Sequence, residues 1–468
     1  MHELTIHLKT HSGTPLYEQI YSYIKENIRE GKIVCGEKLP STRSLCSYLE
    51  VSRSTVELAY GQLLSEGYIE SVPCRGFFVA QVDDLLHLEA APARSKERKE
   101  EKKGKPAFRY DFSPSGVDLR SFPYNAWRRL SREVLSDDRT ELFRLGDPKG
   151  EYAFRSAICR YLYQARGVNC SPDQVVVGAG SDYLLMLLCS LLGRGRVIAV
   201  EDPTYKQAYR LFRSQSCDVR PIAMDGKGMA VELLRASGAD TAYVTPSHQY
   251  PTGIVMPIRR RMELLGWAQE REDRYIVEDD YDSEFRYRGK PIPALQGYDA
   301  KGKVIYLGTF SKSIAPAIRL SYMVLPEPLC EAFDRKLGFI SSTVSKVDQL
   351  IMCRFIEEGY YERHLNKTRA LYRGRHDQLI AGLKGLAGEC RISGENAGVH
   401  LLLHFADGRT EQELIGTAAA HGIRVYGLSD YVVGEKQKEA VILLGYANMP
   451  EEKIREACAI LEKIWKKS

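Results

Sequence analysis

The sequence predicts an α/β protein in two parts: an N-terminal winged helix-turn-helix, then a large domain on a mostly parallel sheet covered by helices on both faces. Three observations lead there. Residues 1–80 run helix, turn, helix and then two short strand-like segments. From residue 108 onward, helical patterns alternate with the short β-branched runs Val175–Val177, Val197–Val200, Tyr243–Thr245, Tyr275–Val277 and Val304–Leu307, the pattern of a parallel sheet with helical crossovers. Between these parts, residues 81–107 carry the run Ala91 to Pro106 with hardly an apolar side chain, which reads as a charged flexible linker because it buries too little surface to offset its ordering entropy.

In the first part, Pro15 opens a helix through about Glu30, with Leu16, Ile20, Tyr23, Ile24 and Ile28 on one face. Ser41 is placed to cap a helix over Thr42 to Leu49, and Ser52 to cap one from Arg53 to about Glu66. Tyr68–Ser71 and Gly76–Val79 then pair around Pro73-Cys74-Arg75. The second helix of such a motif offers its N-terminal residues to base edges in the major groove. That singles out Arg53, Ser54 and Thr55 behind the cap Ser52, with Arg43 and Arg75, next to Gly76, suited to phosphate or groove contacts. An interaction module with ordinary surface arginines fits one three-helix pattern equally well. Net charge does not decide between them: residues 1–80 hold eight Lys and Arg against nine Asp and Glu, so DNA binding must rest on where the charges sit.

In the second part, Lys312 falls just beyond the strand Val304–Leu307, at the sheet end where open α/β folds bind ligands. A lysine there can form a Schiff base with an aldehyde cofactor. Thr309, Ser311 and Arg319 lie close by and can hold a phosphate. At the end of Tyr275–Val277, Asp279 and Tyr281 stand two residues apart and point to one side. A carboxylate at a pyridine nitrogen keeps the ring protonated, and a phenol can bond its ring oxygen. The turn Gly178-Ala179-Gly180 leads into Ser181-Asp182 at a helix start, an anion-binding arrangement. Tyr205, after another strand, can stack on a flat ring.

The bulk numbers suit this. The 468 residues are 44% hydrophobic, 27% charged and 10% aromatic, and no apolar run reaches the ~18 residues a membrane helix needs. No secretory signal is read at the N-terminus. The eleven cysteines include no Cys-x-x-Cys pair, which argues against a disulfide framework or a metal site and for a reducing cytoplasm.

Leu39-Pro40-Ser41-Thr42-Arg43, Val51-Ser52-Arg53-Ser54-Thr55-Val56, Glu66-Gly67-Tyr68-Ile69 and Arg75-Gly76-Phe77-Phe78-Val79 resemble, block after block, the GntR superfamily DNA-binding domain. Residues 108–468 resemble a fold-type I aminotransferase-like domain, with a smaller C-terminal α+β subdomain from about residue 350. Thr245-Pro246-Ser247-His248-Gln249-Tyr250-Pro251-Thr252-Gly253, Val277 to Phe285, and Gly308 to Ser313 followed by Arg319 to Pro326 look like the motifs of the MocR-type regulators, most similar to the GabR branch. The resemblance implies a bacterial homodimer in which one chain's DNA-binding domain packs on its partner's large domain. It also implies pyridoxal 5'-phosphate on Lys312, with Asp279 at the pyridine nitrogen, Tyr281 at the ring oxygen and Tyr205 stacked on the ring. Gly180, Ser181, Asp182, Thr309, Ser311 and Arg319 would surround the phosphate, and His248 and Gln249 would flank the ring. An amine ligand, or the cofactor itself, would be sensed at Lys312 and change binding to a double-stranded operator.

Three residues depart from the related patterns. Leu443 stands where aminotransferases carry the arginine that grips a substrate carboxylate. Gln207 and Asp430 stand where the GABA-responsive branch has arginines. Leucine cannot pair a carboxylate, and a carboxylate at 430 repels one, so ordinary transamination and a response to GABA are not expected. A working aminotransferase with an accessory DNA-binding domain is the alternative, with at most vestigial or half-reaction activity expected of the sensor.

Overall fold

The computed structural model describes all residues except 1–5, 10–12, 82–107, 137–139, 288–290, 396, 435–438 and 467–468. The expected linker therefore lies outside the described residues. The chain divides into two compact units, Met1–Lys103 and Gly104–Ser468.

The first unit holds three helices and a two-stranded ribbon: α1 (Leu16–Arg29), α2 (Thr42–Leu49), α3 (Arg53–Ser65), β1 (Ile69–Val72) and β2 (Gly76–Val79). Ile20, Ile24 and Ile28, one turn apart on α1, pack with Leu45, Val56, Tyr60, Leu63, Ile69 and Val79 in one core. The turn between α2 and α3 is closed by Glu50 in the left-handed region at φ 53°. Ser41 and Ser52 cap their helices by accepting from the Ser44 and Thr55 N–H groups, each satisfying one donor that the helix cannot use itself.

In the second unit, strand β3 (Tyr110–Asp111) is followed by α4 (Tyr124–Leu135), α5 (Tyr152–Arg166), β4 (Val175–Gly178), α6 (Ser181–Leu192), β5 (Val197–Asp202), α7 (Lys206–Ser214), β6 (Asp218–Asp225) and β7 (Gly228–Met229). Then come α8 (Val231–Ala236), β8 (Thr241–Val244), α9 (Ile258–Gln269), β9 (Tyr275–Asp280), β10 (Val304–Thr309), β11 (Ser321–Val324), α10 (Glu327–Leu337), α11 (Lys346–Glu357) and α12 (Tyr360–Gly382). Last are β12 (Arg391–Ser393), β13 (His400–Phe405), α13 (Glu411–Ala420), β14 (Ile423–Arg424), β15 (Tyr426–Gly427), β16 (Ala440–Gly445) and α14 (Glu451–Trp465).

Eight strands form the main sheet in the order β4-β11-β10-β9-β8-β5-β6-β7. Its central pairs β10/β9, β9/β8, β8/β5 and β5/β6 are parallel, while β11 and β7 run against their neighbours. Side chains alternate across this sheet as the pleat requires. Val175, Val177 and Tyr306 join the core of α4, α5 and α11, whereas Val176, Ile305 and Leu307 join that of α6, α7 and α10. All five β-branched runs expected from the sequence fall on strands, with Thr245 one residue past the end of β8. β6 was not expected, because its Pro221 and charged residues hide an outlying strand with mostly exposed side chains.

A second, four-stranded antiparallel sheet, β12-β13-β16-β15, packs on α12, α13 and α14. Its core also takes in Tyr110 and Phe112, and β3 pairs with β14. The small subdomain therefore includes chain from before residue 120 as well as the C-terminal part. Helix α11, by contrast, belongs to the core of the main sheet. Among the described residues no helix is long and apolar enough to cross a membrane, and all eleven cysteines are free thiols.

Candidate cofactor site and DNA-binding face

A cavity of about 370 Å³ opens at the C-terminal ends of the parallel strands, where loops leave backbone and side-chain polar groups free for a ligand. Lys312, Asp279, Tyr281, Tyr205, Ser181, Asp182, Thr309, Ser311 and Arg319 all line it. Strand register explains the convergence: Asp279 pairs with Leu307 and Asp280 with Gly308, so the end of β9 lies beside the turn that carries Lys312.

The run Glu278-Asp279-Asp280 separates two tasks by alternation along β9. Glu278 accepts from the Leu295 and Gln296 N–H groups. Asp280 pairs with Arg166 at 2.7 Å and accepts from Tyr306 at 2.5 Å. Asp279 points the other way, into the cavity, and accepts from the Tyr243 hydroxyl. Burial pushes Asp279 up to about 7, and Tyr243 only partly offsets this. A buried carboxylate without a cation is costly; a protonated ring nitrogen is the partner that would relieve it.

Lys312 is the complementary case. Its ammonium donates to the Ser115 carbonyl at 3.0 Å, and burial lowers the amine to about 8, with Asp282 acting in the opposite sense. A larger share of neutral, nucleophilic amine results near neutral pH.

The phosphate end is equally specific. Helix α6 begins after Gly180 with no side-chain cap, so its leading N–H groups are available to an anion. Arg319, at φ 51°, donates to the Ala179 carbonyl at 3.1 Å and approaches Asp182 at 3.5 Å. A Cβ on Gly180, itself at φ +96°, would come within 2.2 Å of the Arg319 guanidinium, so glycine is required for that approach. The Ser311 hydroxyl is buried with no partner, a cost that a phosphate oxygen would remove. These residues fit pyridoxal phosphate: Lys312 for the aldehyde, Asp279 and Tyr281 for the ring, Ser181, Ser311 and Arg319 for the phosphate.

Six expected residues do not line the cavity: Gly180, which stands just before Ser181 at the head of α6, and the five taken next. His248 and Gln249 lie buried behind it. The Gln249 amide donates to the carbonyls of Pro203 and Tyr250, and a tight turn joins Gln249 to Gly253 and Ile254. That turn presents the next side chain, Tyr250, to the cavity instead. Leu443 packs with Leu402, Leu428 and Val441, as an apolar side chain on a covered strand must. Gln207 and Asp430 are exposed, since polar side chains keep their water where nothing pairs them. Besides Tyr250, Ser115, Tyr243, Thr245 and Pro316 line the cavity unanticipated. Tyr243 on β8 and Thr245 just past its end, two apart, carried the same alternation signal as Asp279 and Tyr281; Ser115 carried none.

In the first unit, Arg43, Arg53 and Arg75 are all exposed. Arg53 pairs with Glu57 on its own helix at 2.8 Å, an exposed contact easily exchanged for a phosphate or base. The Ser52 hydroxyl bonds those of Ser54 at 2.8 Å and Thr55 at 2.7 Å, which gathers three hydroxyls at the start of α3. Arg75 lies 5.6 Å from the Phe78 ring centre. Gly76, at φ +104°, makes the tight entry into β2 that a side chain would strain.

Comparison with known proteins agrees with both parts. Residues 118–461 match the family Aminotransferase class I and II, and residues 16–79 match Bacterial regulatory proteins, gntR family. The chain is 41% identical to the HTH-type transcriptional regulator YhdI of Bacillus subtilis, across 99% of this chain and 98% of that one. It is 32% identical to the probable rhizopine catabolism regulatory protein MocR of Rhizobium meliloti, across 95% and 92%. Among solved structures, the multiple substrate aminotransferase of Thermococcus profundus matches at a TM-score of 0.69 and 28% identity, covering 77% of this chain and 92% of that one. The chain belongs to the MocR-type regulators, in which a GntR-family helix-turn-helix domain is fused to a class I and II aminotransferase domain.

Proposed function

We propose that this protein is a transcription regulator that binds double-stranded DNA through its first unit and holds pyridoxal phosphate at Lys312 in its second. An amine ligand, or the cofactor itself, then changes operator binding. The observation that carries the reading is Lys312 and Asp279 facing one cavity, both displaced by burial toward the neutral form, in a chain that also bears a GntR-family domain.

When bound, pyridoxal phosphate supplies an aldehyde carbon that amines attack and a protonated ring that draws electrons from it. Around it, Lys312 would provide the amine that holds the aldehyde, Asp279 would keep a proton on the ring nitrogen, Tyr281 would offer its hydroxyl to the ring oxygen, and Arg319 with Ser311 would anchor the phosphate. Regulation requires the ligand to favour one arrangement of the regulator over another, or no switch results. We place the protein in the cytoplasm as a homodimer, with the DNA-binding unit of one chain able to pack on the large unit of its partner.

The test is a titration of purified protein with pyridoxal phosphate, followed by an amine library. Visible absorbance and operator binding are both recorded at each step. A ligand that changes both together supports the sensor. Multiple turnover of amino donors and keto acceptors without any change in DNA binding would favour the enzyme reading, and a specific response to GABA would overturn the expectation drawn from Gln207 and Asp430.

A further inference from the structure

His248 is buried immediately behind Tyr281. The Tyr281 oxygen lies 2.9 Å from His248 Nδ1, and the same nitrogen lies 3.0 and 3.2 Å from the two Asp282 oxygens. Both His248 and Asp282 are almost wholly excluded from water. A carboxylate beside a bare imidazole nitrogen would set lone pair against lone pair, so Nδ1 carries the proton and donates it. Its two acceptors are the Asp282 carboxylate and the Tyr281 oxygen. His248 Nε2 is buried with no partner, so Nδ1 makes the ring's polar contacts.

Packing holds the imidazole in this pose. A Cβ on Gly398 would come within 2.0 Å of His248 Cε1, and one on Gly253 within 3.4 Å of Nε2. Glycines on both sides therefore make room for the ring. Other titratable groups face this pair: His400 lies by the imidazole, and Tyr250 and Asp279 act on the phenol. The His400 ring centre is 5.6 Å away, its Nε2 is tied to the Pro251 carbonyl at 2.7 Å, and burial lowers it to about 4, which keeps it neutral. Burial, the negative Asp282 and the pull of its carboxylate on the phenol proton hold the Tyr281 hydroxyl well above its ordinary value, so the phenol keeps its proton, and the Nδ1–H that Asp282 accepts competes with that proton for the carboxylate.

We propose that His248, oriented by Asp282, is a positioning residue for Tyr281: its Nδ1–H occupies the phenol oxygen and leaves the phenol's own proton to be presented to the cavity and to the ring oxygen of bound pyridoxal phosphate. The proposal rests on the reading that Tyr281 faces that oxygen. His248 touches neither cofactor nor ligand; it acts through the phenol. A donor on the ring oxygen stabilises its anionic form. Losing that donor makes the oxygen more basic and moves the pH at which the bound cofactor's visible absorbance changes.

The experiment loads the full-length protein with pyridoxal phosphate and follows that absorbance from pH 6 to 10. Tyr281→Phe and His248→Leu are each expected to raise the midpoint by about one pH unit. The double variant is expected to move no further than Tyr281→Phe alone, since both remove one interaction. His248→Asn, whose amide can set an N–H where Nδ1 stands, is expected to keep the original midpoint. A His248→Leu midpoint unchanged while Tyr281→Phe moves, shifts that add in the double variant, or a His248→Asn shift as large as that of His248→Leu overturns the proposal and leaves the cofactor reading intact. If His248→Leu does not fold, Asp282→Asn is expected to raise the midpoint by a smaller amount, and no shift there overturns it equally. Absence of any visible band in the unaltered protein overturns the cofactor reading and this proposal with it.

Discussion

In the first unit the groups proposed to meet DNA stand in water: Arg43, Arg53 and Arg75 are exposed, and the ion pair that engages Arg53 is a surface contact. In the second unit the decisive groups are buried, and burial moves the Asp279 carboxyl and the Lys312 amine in opposite directions to about 7 and about 8. The contrast fits the ligands proposed for the two units. A polyanion is met by charges that remain solvated and pay little to stay charged, at the cost of sensitivity to salt. A small cofactor is met by groups already stripped of water, whose discomfort its binding relieves.

That contrast can be broken most directly at Lys312. Lys312→Ala is expected to abolish the visible band of the pyridoxal-phosphate-loaded protein while operator binding by the cofactor-free protein survives; absorbance and gel-shift assays on one preparation check both. Neighbouring carboxylates on β9 sharpen it next. Asp279→Asn should weaken pyridoxal phosphate binding by roughly 100-fold, measured by equilibrium titration, with folding little changed. Asp280→Asn, which strands the buried Arg166, should instead lower unfolding stability by about 3–5 kcal/mol. Similar losses from both variants would show that the alternation does not separate their tasks.

On the exposed side the effects are smaller. Arg53→Ala should cost operator affinity about tenfold and relax sequence preference, whereas Arg75→Ala should weaken binding evenly and reduce the slope of log affinity against log salt by about one. A pH dependence of stability is the remaining expectation. Burial raises Glu201, Glu278, Asp279 and Glu284 each to about 7, above the unfolded carboxyl value near 4. The folded state therefore holds protons that the unfolded chain releases, and the cofactor-free protein should lose stability as pH rises from about 4 to about 7 and level off above. Denaturant melts across that range should show a shallower decline in Asp279→Asn.

The same division governed what the sequence revealed. Five of the eight strands of the main sheet were visible because their residues are apolar and β-branched in short runs, and Lys312, Asp279 and Tyr281 because motif and strand end coincide. The helix-turn-helix was visible through its caps and glycines. Facing within a turn was not: the motif around His248 pointed to the right loop, but which of three successive side chains enters the cavity depends on how the turn closes, and Tyr250 does. Ser115 reaches Lys312 only because the chain near residue 115 folds against the turn after β10, a contact between residues 197 positions apart. Gln207 and Asp430 were singled out by correspondence with relatives, and correspondence does not report exposure.

The small strand β3 gives that fold-back a mechanical meaning. Arg109 and Tyr110 donate to the Gly422 carbonyl, Phe112 donates to that of Arg424, and Gly445 donates to that of Phe112. Tension arriving from the N-terminal side of the chain would thus enter through the small subdomain before it reached the sheet bearing Lys312. A few residues past β14, Tyr431 accepts from the Thr204 N–H at 3.0 Å and from the Tyr250 hydroxyl at 3.2 Å. Residues 109–112 and the cavity-wall residue Tyr250 are thus both bonded to one short stretch of chain, residues 422–431.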